Sequence, residues 1–254
     1  MTMLIKYTKL LCLILLVFPV FAESEFGKTY VISIGINSYP LPYGNLRFAA
    51  SDAEKFADVM NERGFRDDNK QKQGMIFVKP IDVILLSDQN SNDEIFPSKS
   101  NILKQLDSVL SKMNENDFVI IFFSGHGTGE SLATTTQEGK PEKLELKEIL
   151  RKLDTKAERY MLLLDACRYT ENRVVGFSAT IQAGNGLFKS IFYSTSNSGF
   201  SEESPKFKQG VYTHYLLEAL KGKADTNKKW IMSSDEVRDY VSENVKKITD
   251  GRQT

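Results

Sequence analysis

Two side chains of this sequence suit nucleophilic catalysis, a histidine and a cysteine that each follow an apolar run. His126 comes after the run 118–123, and Cys167 comes after the run 160–164. A cysteine attacks as the thiolate, and a free thiol with a pKa of ~8.5 is mostly protonated at neutral pH. An imidazole beside it takes that proton and later gives it to a leaving amine. The pair therefore predicts a Cys–His dyad that attacks amide carbonyl groups.

Glycines flank the histidine, Gly125 before it and Gly127 after it. Because they lack a Cβ, they let a substrate approach the main chain closely and leave the Gly127 N–H open. We predict that this N–H and the N–H of Cys167 hold the oxyanion of a tetrahedral intermediate.

Alternating apolar runs and amphipathic segments predict the elements that position these residues. The predicted strands cover 29–37, 82–86, 118–123, 160–164 and 188–194, and the predicted helices cover 46–65, 100–113, 144–153, 212–220 and 235–248. The segments 70–80, 128–141 and 169–187 are predicted to be loops. Continuous apolar strands separated by such helices imply an α/β fold whose mainly parallel central sheet has helices on both faces. Functional residues of such sheets lie at the carboxyl ends of the strands. We therefore expect His126 and Cys167 to lie at the same edge of the sheet.

The composition is that of an ordinary globular protein. The 254 residues are 41% hydrophobic and 26% charged, and 33 Lys and Arg balance 33 Asp and Glu. Nucleic-acid binders usually carry a clear basic excess, so no nucleic-acid partner is predicted. After the predicted loss of an N-terminal segment that contains Cys12, two histidines and one cysteine remain, which are too few ligands for a common structural zinc site.

The N-terminus predicts an export signal. Lys6 and Lys9 precede an apolar run that ends at Ala22, and this run is short for a membrane span. We expect residues 1–22 to be a signal peptide, residues 23–254 to be one folded domain, and the protein to be periplasmic or secreted. An uncleaved N-terminal membrane anchor is the alternative. No second apolar run has spanning length, so the mature chain is not expected to contact a membrane, and it keeps Cys167 as its only cysteine.

The two catalytic motifs, Ser-Gly-His-Gly at 124–127 and Asp-Ala-Cys-Arg at 165–168, resemble those of the caspase-like cysteine peptidases. The resemblance covers nearly the whole chain after the signal peptide and implies the caspase–haemoglobinase-like fold and a peptide or protein substrate. It also implies that Ser194, Thr195 and Ser196 lie beside the bound peptide.

The residue two positions before the cysteine distinguishes branches of that family. Animal caspases have Gln at this position. The aspartate found here, Asp165, resembles the residue of the metacaspases and paracaspases, which cleave after Arg or Lys, and we expect a bacterial member of that branch. The resemblance implies that Asp52 and Asp165 line the specificity pocket. Two carboxylates in a partly desolvated pocket bind a guanidinium and repel an acidic side chain. An acid from Glu202 or Glu203 is a further candidate for this pocket.

Other interpretations remain open. The protein is alternatively a non-catalytic binding or scaffold module of the same fold, or a legumain-like or clostripain-like peptidase of different specificity. Asp52 is alternatively an ordinary acid at a helix N-terminus, and His214 is interpreted as a packing or surface residue. No cofactor is predicted, but calcium stays open because some metacaspases need it. Self-cleavage near Arg173 and the oligomeric state are open as well.

Overall fold

Strands and helices alternate along the part of the chain that the computed structural model describes, which is residues 27–63, 81–90, 92–167, 188–195, 200–226 and 234–253. The strands are β1 (Thr29–Gly35), β2 (Ile81–Ser87), β3 (Phe118–Ser124), β4 (Ser131–Thr135), β5 (Pro141–Glu145), β6 (Arg159–Asp165), β7 (Phe188–Tyr193), β8 (Glu203–Ser204) and β9 (Gln209–Gly210). The helices are α1 (Ala49–Arg63), α2 (Lys99–Lys112), α3 (Leu146–Lys156), α4 (Val211–Glu218) and α5 (Ser234–Ile248).

Five of the strands form the central sheet in the order β2-β1-β3-β6-β7, and every neighbouring pair in it is parallel. The predicted α/β fold with a mainly parallel sheet is therefore confirmed. The strand β3 lies in the middle because its residues Phe118–Ser124 are apolar almost throughout, as a strand covered on both faces requires.

Two hydrophobic cores cover the two faces of the sheet. Side chains alternate between the faces with a period of two, so Ile121 and Leu162 join the core under α2 and α3. Their neighbours Phe122 and Leu163 join the other core, under α1, α4 and α5. Fully burying a side chain of this size contributes about 1.5–3 kcal/mol, so the two cores together fix the register of the strands.

The start of α1 is held by a residue far away in the sequence. The carboxylate of Glu203 accepts hydrogen bonds from the backbone N–H groups of Arg47, at 2.9 Å, and Phe48, at 2.8 Å. These N–H groups lie just before the first turn of α1, where a negative charge is favourable. The cap ties the segment that precedes β9 to the helix that carries Asp52.

The prediction of a loop over residues 128–141 is wrong, because much of this segment belongs to an antiparallel hairpin of β4 and β5. Leu132 and Leu144 pair across the hairpin and bury their side chains in the core. The turn between them contains Gly139, whose φ of +78° is in the left-handed region that glycine adopts without strain. Each strand of the hairpin is only five residues long and contains three polar or charged residues, which gave too short an apolar pattern to predict a strand.

Other predicted bounds shift by a few residues; α1, for example, begins at Ala49 rather than residue 46. The predicted loops 70–80 and 169–187 and the predicted signal peptide 1–22 lie outside the described residues. Among the residues that are described, none of the helices combines the length and the apolar character that a membrane span requires.

Candidate active site

The carboxyl ends of β3 and β6 meet at one edge of the sheet. Ser124 and Asp165 are paired in register, and the N–H of Gly125 donates to the carbonyl of Asp165 at 3.1 Å. His126 and Cys167 each come two residues after this last pair, on adjacent strand tips. The proximity arises because two parallel strands of equal length end together.

Gly127 packs against the tip that carries the cysteine. A Cβ at Gly127 would lie 3.1 Å from the Cβ of Ala166 and 3.8 Å from the carbonyl oxygen of Cys167. Gly127 also forms an antiparallel bridge to Leu132, but the two hydrogen bonds of that bridge are made by its neighbours in the chain. In such a pair the residue's own N–H points away from the partner strand, so the Gly127 N–H is not used by the hairpin.

The imidazole of His126 is held in one orientation. Its Nε2 lies 2.9 Å from the carbonyl oxygen of Gly44, and its ring centroid lies 4.8 Å from that of Tyr39 and 5.9 Å from that of Tyr43. Because a carbonyl oxygen only accepts, Nε2 is the protonated nitrogen and Nδ1 is the acceptor. In the neutral ring, Nδ1 is then an acceptor for which the described residues provide no hydrogen-bond donor.

The main chain of the histidine is fixed as well. The N–H of His126 donates to the hydroxyl of Tyr39 at 3.1 Å, and that hydroxyl donates to the carbonyl of Ala133 at 3.2 Å. Burial raises the pKa of Tyr39 well above its usual range, so its hydroxyl keeps its proton and stays a donor. Tyr39 thus links β3 to the hairpin and packs against the imidazole at the same time.

The thiol of Cys167 is half-buried and free of any disulfide. Burial raises its pKa, the Ser201 N–H opposes that rise by hydrogen bonding, and the charge of Asp165 adds to it. The sulfur is therefore protonated at rest, and a base has to remove its proton before it can attack.

Two buried carboxylates lie below this edge. Asp52, in the first turn of α1, is 1% exposed, and Asp165, at the end of β6, is 4% exposed. Burial raises the pKa of Asp52 to about 8, and repulsion by Asp165 contributes to that rise. Burial also raises the pKa of Asp165, against hydrogen bonds from the hydroxyls of Ser201 and Thr213. At neutral pH the pair therefore retains a proton.

One oxygen of the pair has no hydrogen-bond partner among the residues that the structure describes. Oδ2 of Asp52 accepts from the N–H of Gly210 at 2.9 Å and from the hydroxyl of Ser124 at 3.4 Å. Its Oδ1 is buried and makes no hydrogen bond within the described part of the chain. A Cβ at Gly210 would lie 2.5 Å from Oδ2 of Asp165 and 3.0 Å from Oδ2 of Asp52, so glycine is needed where the main chain passes both acids.

The other predicted pocket acids are engaged in contacts of their own. The carboxylate of Glu203 caps α1. Glu202 forms an exposed ion pair with Arg252, whose Nε lies 2.9 Å from its Oε1. Both acids therefore already have partners within the described part of the protein. His214 stacks on Phe207 with ring centroids 3.9 Å apart, which is the predicted packing role.

The carboxyl end of β7 lies at the same edge of the sheet as the ends of β3 and β6. The N–H of Ser194 donates to the carbonyl of Leu164, and the Ser194 hydroxyl donates to the carbonyl of Ala166 at 3.4 Å. Ser194 and Thr195 are both buried, and their predicted place beside a bound peptide stays a prediction. Ser196 lies outside the described residues.

Sequence reasoning missed three residues that position the site. They are Tyr39, Gly44 and Gln253, and each acts across a long stretch of chain on the residue that it holds. The tyrosines at 39 and 43 and the glycine at 44, directly after a buried strand, were the only available signal. Nothing local to Gln253 indicates its role, because its partners are about 50 residues away.

A parallel sheet with a histidine and a cysteine on adjacent strand tips, beside two buried acids, is an arrangement typical of α/β cysteine peptidases. The sequence profile of one such peptidase family, described as the caspase domain, matches residues 28–254. The chain belongs to this family.

Curated relatives support the predicted metacaspase branch. Metacaspase-1B of Aspergillus niger is 29% identical over 102 residues, which is 40% of this chain and 20% of that protein. Metacaspase-1 of Botryotinia fuckeliana is 28% identical over 102 residues, covering 40% of this chain and 21% of that protein. The chain therefore matches about a fifth of the length of these relatives.

A solved structure supports the fold. The crystal structure of a protein from Geobacter sulfurreducens superposes with a TM-score of 0.55 at 13% identity, and the alignment covers 85% of this chain and 88% of that chain.

Proposed function

We propose that this protein is a cysteine endopeptidase that cleaves peptide bonds after Arg or Lys, with Cys167 as nucleophile and His126 as its proton acceptor. The observation that carries the proposal is the pair of buried carboxylates, in which Oδ1 of Asp52 has no hydrogen-bond partner among the described residues. A guanidinium or ammonium group supplies the donors that such a pair lacks.

The proposed chemistry uses only groups of this chain. Nδ1 of His126 takes the proton of the thiol, and Sγ of Cys167 attacks the carbonyl carbon of the substrate. The N–H groups of Gly127 and Cys167 bind the oxyanion that forms. His126 then gives its proton to the leaving amine, and a water molecule, deprotonated by the same imidazole, hydrolyses the thioester. The carbonyl of Gly44 supports this cycle because it keeps Nδ1 as the acceptor.

The test is a comparison of fluorogenic peptides that end in Arg, Lys or Asp, with purified wild-type protein and the variant Cys167→Ala. We expect turnover of the Arg and Lys peptides only, and none by the variant. Turnover of the Asp peptide alone would overturn the pocket assignment and leave a peptidase of different specificity.

A rate of thiol alkylation distinguishes the enzyme from a binding module of the same fold. Iodoacetamide should react with Cys167 at neutral pH faster than with a small-molecule thiol, because His126 removes the thiol proton. Equal rates, together with no turnover of any peptide, would favour the binding module.

We further propose that residues 1–22 direct export and are removed, so that residues 23–254 act on peptides or proteins outside the cytoplasm. The proposed partners include no nucleic acid, in keeping with a formal net charge of zero.

No cofactor takes part in the proposed steps. Turnover measured in EGTA and in added Ca²⁺ decides whether calcium activates the enzyme.

A further inference from the structure

Gln253 lies after α5, at the far end of the chain from most of the site, and yet its side chain reaches the strand tips. The residue is 0% exposed, and the amide makes three hydrogen bonds. Oε1 accepts from the N–H of Glu202 at 3.0 Å, while Nε2 donates to the carbonyl of Ser194 at 2.9 Å and to the hydroxyl of Ser201 at 3.3 Å. Both N–H donors of the amide are therefore used.

The hydroxyl of Ser201 continues this chain of hydrogen bonds to the carboxylate pocket. It accepts from Nε2 of Gln253 and donates its proton to Oδ1 of Asp165. Since a serine hydroxyl has one proton, the donor from Gln253 leaves that proton for the carboxylate. Gln253 thus determines which way the Ser201 hydroxyl points.

The glutamine is itself held rigidly. The hydroxyl of Thr249 accepts from the N–H of Gln253 at 3.1 Å and donates to the carbonyl of Val245, inside α5, at 2.8 Å. The glutamine therefore connects α5 to the end of β7 and to the segment before β8, the two parts of the chain that border the pocket.

We propose that Gln253 is a positioning residue for substrate specificity, which orients Ser201 toward Asp165 and fixes the Ser194 carbonyl so that the pocket accepts a basic side chain. This inference rests on the proposed function. Without the Gln253 amide, the Ser201 hydroxyl is free to turn away, and Asp165 loses a hydrogen bond that favours its charged form. The pocket then binds a cation less well, above all at low pH. The other titratable groups around Asp165 are Asp52 on α1, Cys167 and Tyr212 on α4.

The experiment uses Gln253→Met, which keeps the length of the side chain and removes every hydrogen bond of the amide. We expect KM for Arg and Lys peptides to rise about 5- to 30-fold, since each net hydrogen bond is worth about 1 kcal/mol. The acidic limb of the pH profile of kcat/KM should move to higher pH. The value of kcat and the rate of Cys167 alkylation should stay within about twofold of wild type, because none of the three hydrogen bonds of the Gln253 amide goes to His126 or Cys167.

Two companion variants make the test specific. Arg252→Ala removes an exposed ion pair from the same segment and should leave KM unchanged, because such pairs contribute little. Ser201→Ala removes the middle of the chain, so its effect on the pH profile should match that of Gln253→Met. The double variant should then be no worse than either single one.

Each outcome decides for or against the inference. An unchanged KM and pH profile in Gln253→Met, with active wild type, would overturn it and leave the proposed function standing. A parallel loss of kcat, alkylation and thermal stability would reduce Gln253 to a purely structural role and would also overturn it. If wild type cleaves no basic peptide, amide hydrogen exchange takes over as the readout. Faster exchange of the Glu202 N–H, which donates to Gln253, that extends to the neighbouring Ser201 N–H but not to α1 would support the positioning role, and equal rates would refute it.

Discussion

At the scale of single residues, the site depends on neighbours that orient the two chemical groups. Tyr39 touches the imidazole with its ring and the His126 main chain with its hydroxyl. Gly44 supplies the carbonyl that fixes the protonated nitrogen, and its φ of +75° explains why a glycine stands there. In the proposed mechanism, proton transfer from Cys167 therefore depends on groups that take no part in the chemistry.

Replacing Tyr39 with Phe tests this dependence. The ring stays on the imidazole, but the His126 N–H and the Ala133 carbonyl lose their partner. We expect the free energy of unfolding to fall by about 1–3 kcal/mol and kcat to fall several-fold, with KM nearly unchanged. Urea denaturation and peptide turnover are the measurements. Tyr160→Phe is the control, because it removes a hydroxyl bond to Asp154 at the opposite end of the sheet and should lower stability alone. An equal loss of kcat in both variants would contradict the role of Tyr39.

The buried carboxylates predict that stability falls as pH rises. Asp52 has a pKa of about 8 in the folded protein against an ordinary value of 3.8. Between these two pH values the unfolded chain has released a proton that the native state keeps. The free energy of unfolding therefore falls by up to about 1.4 kcal/mol for each unit that the pH rises. Asp52→Asn removes this contribution and should flatten the decline between pH 5 and pH 8 in urea denaturation. Parallel curves for the two proteins would show that Asp52 ionises normally.

The positions of His126 and Cys167 on adjacent strand tips were predictable because each follows an apolar run, which is a local pattern, whereas the pocket role of Asp52 and Asp165 comes from the family resemblance and stays a prediction. The residues that hold these side chains were not predictable, because their contacts join segments that are distant in the sequence. Tyr39 and His126 are 87 positions apart, and Gln253 and Ser194 are 59 positions apart. Such pairings depend on the order of strands in the sheet, which periodicity does not determine.

At the scale of elements, parallel strands that end together bring the residues of the proposed dyad to one edge of the sheet. The five sheet strands were predicted within a few residues because each is a short apolar run bounded by polar residues. The hairpin β4–β5 was mistaken for a loop, although its pairing with the segment after β3 leaves the Gly127 N–H unused by the hairpin. Its polar composition and five-residue strands gave too little pattern to recognise.

The position directly before α4, occupied by Gly210, should accept no residue other than glycine. Gly210→Ala would place a methyl group against both carboxylates, so the acids must separate or β9 must shift. We expect a stability loss of about 1–3 kcal/mol and at least a tenfold rise in KM for Arg peptides. Gly139→Ala is the matched control, since nothing lies within 4 Å there and only its positive φ makes alanine unfavourable. It should cost about 1 kcal/mol of stability and leave KM unchanged. The same KM in both variants would contradict a close pair of acids.

At the scale of the whole molecule, the caspase-domain match covers residues 28–254 and so begins shortly after the predicted cleavage point. The fold class was predictable because alternating strands and helices have few stable arrangements. The contact of Gln253 with the segments around Ser194 and Ser201 was not predictable, because it depends on how α5 packs against the other helices and the sheet.

Export is tested on the full-length chain expressed in a bacterium. We expect the protein to be recovered outside the cytoplasm with Glu23 as its first residue, because the apolar run before it ends in a small-residue cleavage pattern. Intact mass and N-terminal sequencing measure this. A chain that keeps residues 1–22 and sediments with membranes would show that the segment is an anchor.

The central claim is that Cys167 attacks with help from His126 on the neighbouring strand tip, on substrates that carry a basic side chain. The most direct measurement is the intact mass and peptide map of protein treated with peptide chloromethylketones that end in Arg or in Asp. We predict one adduct, on Cys167, from the Arg reagent only, and at least a hundredfold slower labelling of His126→Ala. Equal labelling by both reagents, or equal rates in wild type and His126→Ala, would contradict the account.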